Sequence, residues 1–592
     1  MEQMLDVIGK YVSAAFEEAG YDAALGKVTI SNRPDLCEYQ CNGAMAGAKQ
    51  YHKAPLVIAE EAAAVLEGCD AFSKVEAVRP GFLNLTLDEA FLSSWLNEQA
   101  HDERLGVPEA EEKKRIILDY GGANVAKPLH VGHLRSAVIG ESVKRILHFL
   151  GHDTIGDVHL GDWGLQMGLI ITEVRRRQPG LPYFDEGFTG DYPEEAPFTI
   201  SELEEIYPAA SAKSKEDEEY RREALEATNR LQHGDRGYHA LWEHILNVSI
   251  KDLKKNYDSL NVFFELWMKE SDAQPYIPGL VDYLKENGYA HEDQGALVVD
   301  VAEETDTKTI PPCMILKSDG ASLYNTTDLA TIVMRMERWK PDEILYIVDK
   351  RQDLYFTQVF RCARKTKLVE ENTGLTFLGF GTMNGKDGKP FKTRQGGVMR
   401  LEHLISDIND EMYTKIMENH EADPEEARKT AQIVGLSAIK YGDLSNQASK
   451  DYVFDVDKFT SFEGNTGPYL LYTIVRIKSI LRRYLEETGK TAEDLGGFEI
   501  LPAEGEGEKA LGLALTAFPP AVMLAGSEYA PHKLCGYLYD LANELNRFYH
   551  ETKILTEERS GRRDSYIALL ELTRRVLETG IDLLGFEAPE KM

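Results

Sequence analysis

Two histidines, His130 and His133, stand three residues apart in His130-Val131-Gly132-His133 and offer the clearest chemistry in the chain. An apolar run, Arg115-Ile116-Ile117-Leu118-Asp119, precedes them and reads as a buried strand. After them Val131, Leu134, Val138, Ile146, Leu147 and Leu150 recur mostly at helical spacing, and Gly151 can end that helix. The two imidazoles therefore share one face at a helix N-terminus, directly after a strand. A helix start offers unpaired N–H groups and the positive end of a dipole, both of which favour phosphate. Gly132 would let a nucleotide approach the backbone closely. A short motif can arise by chance; the strand–loop–helix setting gives this one its weight. It predicts a site that holds ATP and steadies charge on its phosphates.

The elements around the motif alternate as in a nucleotide-binding parallel sheet. A strand near Thr154–Val158 leads into the glycine-rich turn His159-Leu160-Gly161-Asp162-Trp163-Gly164, at the strand end where such sheets bind ligands. Between about 175 and 300 the alternation stops, and a polar, charged, mainly helical insertion is expected, its charges solvated. The sheet pattern resumes with Glu343–Val348, a helix around Leu354–Arg364 and a strand at Leu375–Phe380. From about 398 almost everything reads as helix, which predicts an all-α bundle. Ahead of the sheet, residues 1–110 read as a separate α/β module, joined by the charged linker Glu109–Lys114.

The expected fold is thus α/β. A Rossmann-type catalytic domain spans 115–397 and contains the insertion at 175–300. An α/β domain spans 1–110, a helical connector 398–460 and a helical domain 461–592. A chain of 592 residues suits roughly three to five domains. With 43% hydrophobic residues it can bury large cores. The net charge of −33 argues against general electrostatic binding to nucleic acid. It leaves room for a local basic groove, because distant charges are screened within about 10 Å. The six scattered cysteines suit a reducing compartment. Cys37 and Cys41 with His52 lack a standard zinc spacing, so no structural metal site is expected. The N-terminus carries neither a basic start nor a long apolar run, and the chain is expected to be cytoplasmic, without a membrane span.

A second basic element follows the last strand. Lys386, Lys389, Lys392 and Arg394 lie among four glycines between 384 and 397, where a mobile cationic loop could close over phosphates. Here the residues resemble a family. His130-Val131-Gly132-His133 is similar to the first signature of class I aminoacyl-tRNA synthetases. Lys389-Pro390-Phe391-Lys392-Thr393 is similar to a degenerate form of their second. Asn124–Ser136, His159–Gly164, Leu323–Asp328, Phe462–Tyr469, Asn546–His550 and the closing Ala588–Met592 resemble the arginyl-tRNA synthetase family. Pro34–Lys49 is similar to that family's N-terminal tRNA-contacting domain. The resemblance covers essentially the whole chain. Two departures stand out: Ala123 replaces a usual proline, and Pro390 and Phe391 replace the Met and Ser of the second signature.

The resemblance implies ATP-dependent attachment of L-arginine to tRNA(Arg) through an arginyl-adenylate, releasing AMP and pyrophosphate, with Mg²⁺ carried by ATP. It implies that His130, His133, Lys389 and Lys392 stabilise the phosphoryl transition state. Lys127, just upstream of the first signature, would compensate for the weak second one. Gly132, Gly161 and Asp162 would join the histidines and lysines around ATP. Asp119 and Asp328 would face the guanidinium with Tyr324 adding a hydrogen bond, and Asn124 and Gln352 would hold the α-amino end. A guanidinium asks for paired, planar carboxylate partners, which suits this set.

In the helical C-terminus, Tyr469, Tyr472, Arg476 and Arg483 lie in a basic, aromatic stretch, from Tyr469 to Tyr484, that could stack on unpaired bases of the tRNA. The protein is expected to act as a monomer. Two alternatives remain at this point: a class I synthetase for another amino acid, and a non-catalytic tRNA-binding paralogue, which the retained His130, His133, Lys389, Lys392, Asp119 and Asp328 oppose.

Overall fold

The computed structural model describes residues 1–127, 129–389, 399–419 and 423–592. They form two compact units: 111–460 with Leu583–Phe586, and 1–110 with 461–582 and 587–592.

The first unit is built on a parallel sheet. In chain order come β1 (Arg115–Asp119), α1 (Val131–Phe149), β2 (Asp153–Asp157), α2 (Leu165–Arg177), α3 (Tyr324–Arg338), β3 (Glu343–Asp349), α4 (Asp353–Lys365) and β4 (Gly374–Phe380). The strands lie in the order β4-β3-β1-β2. Ile116, Ile117, Leu118, Ile344, Leu345 and Ile347 are all buried. Such continuous apolar runs mark strands covered on both faces. Strand order reverses between β1 and β3, so their carboxyl ends flank the crevice where sheets of this kind bind ligands. The register sets Asp119 opposite Asp157 on one side and opposite Tyr346 on the other.

Helix α1 lies close against β1 because Gly140 leaves room for Tyr120. A Cβ at Gly140 would sit 2.3 Å from Tyr120 Cγ. The buried Tyr120 hydroxyl donates to Glu141 at 2.8 Å. On the same helix Arg135 is fully buried. It donates to Asp443 at 3.0 Å and to the carbonyls of Gly381 and Lys450 at 2.7 and 3.0 Å. Those contacts bind the histidine-bearing helix to the root of the basic loop, where Met383–Asn384 pairs with Tyr452–Val453.

The insertion holds the expected helices, at Ile200–Glu216, Glu218–Gln232, Arg236–Ser259 and Ile277–Glu286. Two features were not expected. Its chain returns alongside β2, with Leu266 N–H donating to Gly156 O at 2.9 Å and Leu160 N–H to Met268 O at 2.7 Å. Farther on, His291–Asp293, Ala296–Val299 and Cys313–Leu316 form a small antiparallel sheet. Its tight turn puts Gln294 and Gly295 at φ 49° and 84°. That turn ordinarily announces itself as Asn-Gly or Asp-Gly, and Gln-Gly hides it.

In the second unit, the sheet β-order runs Val28–Ile30, Tyr39–Cys41, Phe82–Leu87, Phe72–Val78, all antiparallel. The helices Met4–Glu18, Gly43–Tyr51, Pro55–Leu66, Glu89–His101, Gly467–Thr488, Glu506–Thr516, Phe518–Ser527, Pro531–Glu551 and Ser560–Leu583 make up most of the rest. Both ends of the chain thus share one unit. Asn97 ties them by accepting from Ile500 N–H at 2.8 Å and donating to Ile500 O at 2.9 Å. One apolar stretch, Glu506–Ser527, is long enough to cross a membrane by length and composition, and half of its apolar window is buried inside the protein.

Within the expected domain at 461–592, the short segment Leu583–Phe586 groups with the parallel-sheet unit. Three polar anchors hold it there. Ser142 Oγ donates to Leu583 O at 2.9 Å, and Asn261 Nδ2 and Lys440 Nζ donate to Gly585 O at 2.9 and 2.8 Å.

Gly140→Ala is expected to destabilise the sheet-containing unit by about 1–3 kcal/mol through overpacking against Tyr120. Denaturant unfolding followed by near-ultraviolet circular dichroism should show an earlier transition.

Candidate active site

The site begins where β1 ends. Gly121 and Gly122 follow Tyr120 with φ of 90° and 50°, a left-handed turn that other residues enter only with strain. The turn lets Ala123–Val125 pair with Gly161: Gly161 N–H donates to Ala123 O and Val125 N–H to Gly161 O, both at 3.1 Å. Ala123, in the place where a proline is usual, is buried and supplies that carbonyl. Gly161 must stay small, since a Cβ there would lie 2.2 Å from Asn124 Oδ1.

The two histidines form a reciprocal cap on α1. Gly132 N–H donates to His130 Nδ1 at 3.0 Å, and His130 N–H donates to His133 Nδ1 at 3.2 Å. Because each Nδ1 accepts, each ring carries its proton on Nε2. The rings are 4.0 Å apart. Burial, with His130 and Lys127 adding to it, pushes the His133 pKa down to about 3. Burial and then Lys127 also lower that of His130.

The pair therefore works as two neutral N–H donors. This corrects the expectation of free backbone donors at the helix start. Val131 N–H is taken by Met399 O and His133 N–H by His130 O, in addition to Gly132 N–H on the imidazole. Gly132 likewise serves the cap first: a Cβ there would lie 2.7 Å from His130 Cε1.

A cavity of about 620 Å³ is lined by Asn124, Lys127, Gly161, Trp163, Glu270 and Tyr324, among others; His130, His133, Asp119 and Asp328 do not line it, and Lys127 links it to the cap, since its charge lowers the pKa of both imidazoles. Lys127 reaches over the Tyr207 ring at 4.8 Å. Tyr324 is 71% exposed at the first position of α3. Asp328, one turn on, accepts from the Tyr355 hydroxyl. Burial raises the Asp328 pKa, and Asp119 adds to the rise. Asp119 at the end of β1 accepts from Arg335 at 2.6 Å. Glu270, delivered by the insertion's return along β2, is pushed up to about 7 by burial, with Asp162 and Asp328 adding to the rise and His159 opposing it.

Of the sequence-predicted residues, Asn124, Lys127, Gly161 and Tyr324 line this cavity together. Asp162 does not: Ser271 takes both its oxygens, at 2.6 and 3.0 Å, so it anchors the segment bearing Glu270. Gln352 is exposed on the turn after β3. Lys389 is exposed, and Lys392 lies outside the described residues. Sequence reading missed Glu270, Tyr207 and Trp163. Glu270 sits in a polar stretch whose return to the sheet has no local signal.

In the other unit, Tyr469, Tyr472 and Arg476 come together on one helix. Arg476 lies 4.8 Å over the Tyr472 ring and 5.1 Å over that of Tyr549, and donates to Asn546 at 2.6 Å. Asn546 in turn donates to the Tyr469 hydroxyl at 2.6 Å. Tyr472 and Tyr549 are well exposed, which leaves an aromatic and cationic platform. Arg483 is exposed as well. Tyr484 packs inward and donates to Asp564, and Lys478 is held by Glu578 and Glu590.

Comparison with known proteins matches three family models in order. They are the arginyl tRNA synthetase N terminal domain at 6–87, the tRNA synthetases class I (R) catalytic domain at 96–456, and the DALR anticodon binding domain at 470–592. The chain is 61% identical to an arginine–tRNA ligase of Agathobacter rectalis and 56% identical to one of Alkaliphilus oremlandii, each over the whole of both chains. Among solved structures it resembles the arginyl-tRNA synthetase of Plasmodium falciparum, with a TM-score of 0.81 and 25% identity over both whole chains. It also shares the fold of the Thermus thermophilus arginyl-tRNA synthetase, with a TM-score of 0.78.

Nitrogen-15 NMR of histidine-labelled protein should find His133 neutral, protonated on Nε2, from pH 7 down to pH ~5, because burial disfavours the imidazolium. A His133 that titrates near pH ~6.5, the ordinary range, would contradict the geometry.

Proposed function

The chain belongs to the arginyl-tRNA synthetase family and is an arginine–tRNA ligase, and we propose that it activates L-arginine with ATP between the histidine cap and the cavity that Lys127 links to it. The observation that carries this reading is the convergence of neutral donors and acids at the sheet's carboxyl edge. His130 and His133 present Nε2–H groups, while Asp119 keeps one oxygen outside its pair with Arg335 and Asp328 and Glu270 are buried acids without an arginine partner among the described residues.

The arginine carboxylate is already anionic and attacks the α-phosphorus of ATP. A Pα–O bond forms to arginine as the bond to pyrophosphate breaks. No protein base is needed, so the work is positioning and charge stabilisation. The imidazole Nε2–H groups donate to phosphate oxygens, and Lys127, Lys389 and Lys392 supply positive charge. Asp119 and Asp328 face the guanidinium, Tyr324 adds a hydrogen bond, and Asn124 and Gln352 hold the α-amino end. Glu270 joins this set as a further acid at the cavity wall.

In the second step a ribose hydroxyl of the terminal adenosine of tRNA(Arg) attacks the carbonyl and AMP leaves. The Tyr469–Tyr472–Arg476 platform, with Arg483 nearby, suits stacking on unpaired bases. Mg²⁺ goes with the ATP phosphates; among the described residues no group of three or more His, Cys, Asp or Glu side chains is arranged to hold a metal ion. A cytoplasmic monomer is the setting that goes with this reading.

Charging assays with each amino acid are expected to show transfer of arginine alone, with activation depending on tRNA. His133→Ala should lower kcat by about 10²–10³ with folding intact; unchanged arginylation would remove the histidine cap from the mechanism. A pH series tests the acids. A carboxyl raised to about 7 is mostly protonated at pH ~6 and must release its proton when a guanidinium binds. The KM for arginine is therefore expected to fall about tenfold from pH ~6 to ~8, and a flat profile would take Glu270 out of the pocket.

A further inference from the structure

Arg335 is completely buried, 216 residues from Asp119 in sequence. Its Nη2 donates to Asp119 Oδ2 at 2.6 Å and to Asp157 Oδ2 at 2.7 Å. Its ring partner is Tyr346, 5.6 Å away. Its Nε and Nη1 are buried without a hydrogen-bond partner. The second oxygen of Asp157 is also occupied, accepting from the N–H groups of His159 and Met268 at 3.2 Å each. Asp119 differs. No donor among the described residues reaches its Oδ1, and its side chain is 14% exposed toward the site.

This arrangement follows from register and helix period. Asp119 and Asp157 are cross-strand partners in β1 and β2, and like charges side by side repel. Arg335 lies seven residues, two turns, after Asp328 on α3, so one helix face carries both that acid and the cation. A single guanidinium thus joins β1, β2 and α3, the three elements that hold Asp119, the turn at His159, and Tyr324 with Asp328.

We propose that Arg335 is a positioning residue for arginine recognition: by bridging Asp119 and Asp157 it fixes Asp119 with Oδ2 turned inward, so that Oδ1 is left for the substrate guanidinium. The inference rests on the reading of Asp119 as a guanidinium partner. The groups that bear on Asp119 are Arg335 and Asp328 from α3, Asp157 and His159 from the end of β2, and Tyr346 from β3. Without Arg335 nothing offsets the repulsion between the two neighbouring acids, and Asp119 would turn away from Asp157 and lose its set for the ligand.

The test compares KM for arginine with KM for ATP in tRNA-dependent pyrophosphate exchange. Arg335→Met is expected to raise the arginine KM about tenfold or more, the loss of one charge-assisted hydrogen bond, with the ATP KM unchanged. Adding Asp157→Asn should recover much of that loss, because the competing acid is gone; a purely structural role for Arg335 predicts no such rescue. Arg335→Met with a wild-type melting transition and unchanged arginine KM would overturn the proposal, and so would a double variant without recovery.

If Arg335→Met does not fold, Asp157→Asn alone decides. Arg335 then pairs with Asp119 only and competes with substrate, so the arginine KM should rise severalfold; no change overturns the proposal. Asp119→Asn serves as the control. If it leaves the arginine KM unchanged, the reading of Asp119 fails. If it raises the KM while the Arg335 variants do not, only the role of Arg335 fails.

Discussion

The constraint on which the site depends is the placement of two carboxylates side by side. The parallel register of β1 and β2 makes Asp119 and Asp157 neighbours, roughly 5 Å apart across a strand pair. Two unit charges at that distance repel by about 3 kcal/mol at an effective dielectric near ~20. Arg335 reverses the sign of that interaction. Burial would push the Asp157 carboxyl up, but His159 and Arg335 hold it well below its ordinary range. The bridge fixes the two carboxylates side by side, with one oxygen of Asp119 left outside it.

The rest of the site is arranged around this fixed pair. Among the described residues Asp328 and Glu270 have no arginine partner, and burial raises the pKa of both. The site is therefore graded: Asp119 is already paired with Arg335, while Asp328 and Glu270 have raised pKa values that a bound cation would lower. The histidine cap is the opposite case. It needs no charge, because its task is to offer N–H groups, and the cap's own hydrogen bonds orient them. In the proposed reaction, positive charge is assigned to lysines on flexible stems. Lys389 lies on a turn whose companion Lys386 is already committed to Asp455 and Asp457.

What could be read from the sequence follows from range. The strands of the sheet, the helix after the histidines and the helical C-terminus are set by local periodicity, and each was legible within a residue or two. Asn124, Lys127 and Tyr324 were legible because they lie in motifs. Glu270 was not, because its place depends on backbone bonds between Leu266–Glu270 and Gly156–Leu160, about a hundred residues away. A second role of Gly132 was not legible either, for a related reason. Its lack of a side chain makes space for the His130 ring, a contact visible only once the cap has formed. The antiparallel sheet of the insertion was hidden by a Gln294-Gly295 turn and by strands of three or four residues.

The graded pocket also bears on selectivity. A neutral side chain of similar shape would leave several buried oxygens without a proton donor, and unmatched buried polar groups are what give a binding site strong discrimination. A lysine would satisfy the charge but not the geometry, since one ammonium cannot fill acids distributed over β1, α3 and the insertion as a planar fork can. Selection at the first binding step then lessens the need for a second, corrective site. On this view the buried guanidinium of Arg335 belongs to the specificity of the enzyme, although it lies beneath the ligand: it determines how Asp119 is set before any substrate enters.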